Sequence, residues 1–183
     1  MRGNIASNIA EIHPLILSEL MVKWNNFDNF SPIQLVGLFS CFTDIKVPDD
    51  TRLHVLNIHD EFLESKIKSI SHQYDRYHDL EQDYQLNTGL NYIDPLIYDM
   101  IDFSMQWCER TTESECKSFI QNGVYNKSIS IGDFTKAMLK IVTISKEFMN
   151  VCEQFNLVEL QHKLSQIEGL VLKYITTSQS LYV

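Results

Sequence analysis

The sequence predicts an all-α protein, an irregular bundle of about seven helices, and three observations point there. Apolar residues recur at three- and four-residue steps through most of the 183 residues. Helix-start signals fall between these stretches: Pro14, Ser31 with Pro32, Asp94 with Pro95, and the pair Thr112 and Glu115 at capping-box spacing. No pair of alternating strands and no repeat of fixed period is legible, so a sheet protein and a solenoid are poor fits.

Pro14 opens a first helix through about Trp24, with Leu15, Leu17, Leu20, Met21 and Trp24 mainly on its apolar side. Ser31 as N-cap and Pro32 at the first helical position start a second, where a missing N–H costs nothing. Ile33, Leu35, Val36, Leu38, Phe39 and Phe42 make that helix apolar almost all round, so it belongs in the centre of the bundle. After a turn at Val47–Asp50, helical spacing from Leu53 through Leu63 and Ile70 to Tyr77 predicts a long third helix, and the polar stretch His78–Asn91 reads as a loop. Asp94 and Pro95 begin a fourth helix running to Cys108, and Thr112 begins a short fifth one to about Gln121. The segment Asn122–Gly132 reads as a loop. A long sixth helix starts near Gly132 and Asp133 and runs to Phe155, and a seventh carries Leu157, Leu160, Leu164, Ile167, Val171, Tyr174 and Ile175.

The sixth helix carries two registers. Phe134, Ala137, Met138, Ile141, Ile144, Phe148, Val151, Cys152 and Phe155 form its apolar side, and Lys136, Lys140, Thr143 and Glu147 form a polar ridge on the other. Such a ridge is either the solvated side of the helix or a contact surface, and periodicity alone does not decide.

Composition restricts what that surface does. With 44% hydrophobic and 21% charged residues the chain is a soluble globular protein of about one domain, residues 1–183, with a real core and no apolar run near the roughly 18 residues of a membrane span. The start MRGNIASNIAEIHP has no apolar core of the signal-peptide kind, which makes an intracellular location, cytoplasmic or nuclear, the expectation. Few Arg beside abundant Asn, Ile and Lys suit an AT-rich genome of the viral kind. The net charge of −9, from 24 acidic against 15 basic residues, excludes binding to nucleic acid by bulk attraction, so any such contact is a local stripe. Cys41, Cys108, Cys116 and Cys152 sit in apolar surroundings and read as free, buried thiols. The histidines at 13, 54, 59, 72, 78 and 162 share no helical face and read as solvated surface residues.

Signatures of catalysis are lacking. No P-loop, no G-x-S-x-G and no H-E-x-x-H is present, and no second Cys or His pair accompanies Cys108 and Cys116 at zinc-site spacing, so no catalytic, cofactor-binding or metal residue is assigned. Carboxylate pairs such as Asp49/Asp50 and Glu113/Glu115 stand at helix starts, where the exposed N–H groups favour negative charge.

Four blocks in register carry a family resemblance: Arg2–Ala10 (RGNIASNIA), Leu15–Phe42 (through NFSPIQLVGLFSCF), Tyr92–Glu109 (YIDPLIYDMIDFSMQWCE), and GDFTKAMLKI with the ending TTSQSLYV. They resemble the C-terminal helical domain, often called DSHCT, of the superkiller-like DExH RNA helicases that feed the RNA exosome. The resemblance implies upstream RecA-like motor domains that hydrolyse ATP with Mg, and a bundle that closes over single-stranded RNA drawn 3′-to-5′. It also implies a ratchet helix that touches the bases. That helix matches the stretch from Gly132 and Asp133, and its RNA-contacting Arg falls on Lys140, with a second basic position on Lys136. Lysine replaces a flat, stacking fork by a point charge, which favours phosphate or a base edge. An acidic RNA contact of the family falls at Asp60, Glu61 or Glu64, with no choice among them. The chain departs from the family where ERTTES follows Trp107 and Cys108, and in a longer loop at Asn122–Ile131. The alternative function is a helical protein-interaction module without RNA contact, favoured by the net acidity and the Arg-to-Lys change.

Overall fold

The structure, a computed structural model, describes residues 13–93, 95–124 and 128–175. The block Arg2–Ala10, the start residue Asp94 and the ending SLYV lie outside the described residues. What is described is all-α: α1 Pro14–Lys23, α2 Pro32–Ser40, α3 Glu61–Asp83, α4 Ile101–Glu109, α5 Glu113–Ser118, a π-helical turn Phe119–Val124, α6 Ile131–Phe155, α7 Val158–Ser165 and α8 Ile167–Leu172.

Local chemistry sets most of these boundaries. The Ser31 side chain accepts from the Gln34 amide at 3.1 Å while Gln34 Oε1 accepts from the Ser31 amide at 2.9 Å, a complete capping box with Pro32 behind it. Thr112 and Glu115 form the second box. Helix α2 is the centre, packed against α3, α4, α6, α7 and α8. Gly37 allows its closest approach: a Cβ there would stand 2.7 Å from Met105 Sδ and 2.8 Å from Leu63 Cδ2. The core around α2 includes Phe39 and Phe148 stacked at 5.3 Å and Trp107 edge-on to Phe134 at 5.4 Å. All four cysteines are free and buried, and burial pushes the thiols of Cys108 and Cys152 up to about 12.

Four sequence expectations need correction. The third helix begins at Glu61 because the Asp60 carboxylate accepts from the Leu63 amide at 2.8 Å, whereas the Leu53 amide is held by the Asp99 carboxylate at 3.1 Å. It then runs to Asp83, through residues that have no apolar period but are mostly adequate helix formers. The fourth starts at Ile101, since the Ile97 amide donates to the Cys41 carbonyl at 2.9 Å and ties that stretch to the end of α2. The fifth passes into the π-helical turn, and the seventh breaks at Gln166 into α7 and α8.

His13 is the exception among the histidines. It is 9% exposed, caps α1 through Nδ1 to the Ile16 amide at 3.4 Å, and lies 3.3 Å from the Tyr92 hydroxyl among Tyr74, Tyr77 and Tyr92. Burial lowers its pKa, opposed by its backbone hydrogen bond and by Glu81. The folded state therefore holds His13 neutral while the unfolded chain protonates it below about pH 6.5, so stability falls as pH drops through that value. Thermal unfolding of the native chain should show a larger loss between neutral pH and about pH 5 than the variant His13→Gln, which has no proton to take up.

Candidate nucleic-acid interface

Helix α6 is the longest of the described helices, and its start is built from side chains. Ser130 caps it, accepting from the Asp133 amide at 3.0 Å and donating to the Asp133 carboxylate at 2.7 Å, and Asp133 adds negative charge to the first turn. The helix starts at Ile131, one residue before Gly132, because Ser130 rather than Gly132 supplies its N-cap.

The apolar register is buried as the spacing requires. Phe134, Ala137, Met138, Ile141, Ile144, Phe148, Val151 and Cys152 are all at most 2% exposed, and Phe155 is half-buried. The Ser145 hydroxyl, also buried, donates to the Leu164 carbonyl at 3.1 Å and fixes α6 to α7. Burial of this face along the helix leaves it little freedom to roll, so the opposite ridge keeps a fixed direction.

The ridge residues differ in environment. The Lys136 side chain is 81% exposed and stands 3.8 Å from Asp133, a loose pair of the surface kind. Lys140 is 23% exposed and pairs at 2.5 Å with Asp44, in the segment that follows α2. Thr143 is exposed and its hydroxyl donates back to the Leu139 carbonyl at 3.1 Å. Glu147 is half-buried and engaged with neighbours. Lys136 and Lys140 line one cleft of about 210 Å³ with Asp44, Ile45, Asp133 and Ala137, and Thr143 and Glu147 lie beyond its walls. Two lysines and two aspartates leave that cleft without net charge.

Asp44 is the ridge partner that sequence reasoning did not find. It lies 96 residues from Lys140, and only the packing of α2 against α6 brings the two together. Of the three acidic positions earlier in the chain, Asp60 is committed to capping α3 and to Gln34 Nε2 at 2.7 Å, and Glu64 pairs with Lys68 at 2.5 Å. Glu61 is exposed in the first turn of α3. Among the described residues no group of three or more His, Cys, Asp or Glu could hold a metal ion, and no helix is long and apolar enough to cross a membrane.

No curated protein matches the chain. The family model described as the DSHCT (NUC185) domain matches residues 1–178. That is the domain carried at the C-terminal end of superkiller-like helicases, and its span includes every helix described above. A match over nearly the whole sequence shows that the chain belongs to the DSHCT (NUC185) domain family.

Proposed function

We propose that residues 1–183 act as one accessory domain that lines the RNA path of an ATP-dependent RNA helicase, with α6 as its ratchet helix. ATP and Mg belong to the RecA-like motor domains, and the strand passes 3′-to-5′ along the ridge. Lys136 and Lys140 hold phosphates or base edges, and Thr143 and Glu147 continue the contact surface toward the end of α6. The observation that carries this reading is a long helix anchored on its whole apolar face, with a lysine ridge on the opposite face. Charge-assisted donors on a fixed helix can follow a backbone without reading its sequence.

The pairing of Lys140 with Asp44 favours a second reading, a protein-interaction module whose lysines are already neutralised. Photocrosslinking of the full-length protein to single-stranded RNA separates the two. Labelled peptides from residues 131–155 support the RNA path, and labelling confined to other regions supports the interaction module.

A further inference from the structure

A second cleft, of about 630 Å³, opens where α4, α5 and the π-helical turn meet. Its size suits a small organic ligand. One wall is a column of flat groups: Phe103 and Phe119 lie 4.6 Å apart at 31°, and the Arg110 guanidinium sits 5.7 Å from the Phe119 ring. Arg110 makes no ion pair among the described residues, and its Nε is buried with no acceptor.

The other wall is polar and almost entirely uncharged. Gln106 and Asn122 present side-chain amides on exposed positions, the Asn122 amide already held 3.2 Å from Ser118 Oγ. Glu115 supplies the one carboxylate. Its bonds from the Thr111 and Thr112 amides fall on Oε2 and hold its pKa down to about 2, so it stays an acceptor. The turn that closes the cleft is π-helical, a geometry frequent at functional sites. Gly123 makes that closure fit, since a Cβ there would stand 3.0 Å from Phe103 Cε2.

A stacking plane, two amides able to bind a base edge, and a carboxylate for a sugar hydroxyl are the parts of a nucleotide site. We infer that this cleft binds one nucleotide, separately from the α6 ridge: the base stacks on Arg110, Gln106 and Asn122 bind its edge, and Glu115 accepts from the ribose hydroxyl. The nucleotide comes from a single strand of RNA or is free in solution, the contacts being the same. The carboxylate beside an otherwise neutral wall disfavours a densely charged ligand, so recognition rests on base and ribose more than on phosphate.

Calorimetric titration of the purified chain tests this with adenosine monophosphate, a short oligoadenylate and its deoxy counterpart. Arg110→Gln and Asn122→Ala should each weaken ribonucleotide binding by about tenfold, the cost of one good stacking or hydrogen-bond contact. The deoxy strand should bind less tightly than the ribo strand. Asn122 is exposed, so its variant reports on binding even if Arg110→Gln fails to fold. Binding of the strand but not the mononucleotide, lost in these variants, assigns the cleft to the strand. Lys136→Ala with Lys140→Ala should leave mononucleotide binding unchanged, which separates this site from the ridge. No ribonucleotide binding, or binding that neither variant weakens, overturns the inference, as does binding of a glutamate-rich peptide that nucleotides fail to displace.

Discussion

Replacing Trp107 by alanine should cost the fold about 3–5 kcal/mol, the range for deleting a large buried aromatic side chain. The indole is fully buried, lies edge-on to Phe134 of α6, and donates from Nε1 to the Val171 carbonyl of α8 at 2.8 Å. It therefore joins three helices, and its loss leaves both a cavity and an unpaired carbonyl. Measured against the roughly 5–15 kcal/mol total of an ordinary domain, the change should move the urea midpoint well down. Trp107→Phe keeps most of the packing and removes the hydrogen bond, so about 1–2 kcal/mol should be lost. A Trp107→Ala loss below about 1 kcal/mol would mean that the indole does not anchor α6.

The largest functional effect should come from the ridge. Lys136→Ala with Lys140→Ala in the full-length helicase should weaken single-stranded RNA binding by about tenfold, the equivalent of one charge-assisted hydrogen bond, and slow unwinding to match. Both side chains leave the core untouched, so thermal stability should change little. Asp44→Asn should act in the opposite direction. An RNA phosphate reaching Lys140 competes with the Asp44 carboxylate, and its neutralisation removes both the competitor and a repulsive charge. Tighter RNA binding in Asp44→Asn with weaker binding in the lysine pair would place the strand in that cleft. Unchanged unwinding in the lysine pair would favour the interaction module.

What the sequence revealed follows the range of each physical signal. Start signals act over a few residues, so Ser31 with Pro32 and Thr112 with Glu115 were legible, and the burial of Phe134 through Cys152 followed from periodicity. Boundaries were lost where distant groups competed. Asp99 and Cys41 hold Leu53 and Ile97 out of helices that their spacing suggested. His13 was misplaced for a related reason, since the tyrosines that bury it are up to 79 residues away. The ridge itself was visible as a pattern, but its neutralisation by Asp44 was not. Nor was the Arg110 cleft, whose column of Phe103, Phe119 and Arg110 appears only once a π-helical turn brings its members together.

The most direct measurement of the ridge's role is the salt dependence of single-stranded RNA binding by the full-length protein, compared between the native form and Lys140→Ala. Each phosphate contact releases counterions, so a lysine on the RNA path contributes about 0.7 to the slope of log affinity against log salt. If α6 lines the path, the variant should lose about that much of the slope and should weaken binding alike across RNA sequences. A slope unchanged in Lys140→Ala, and also in the variant that adds Lys136→Ala, would contradict the assignment of α6 to the RNA path.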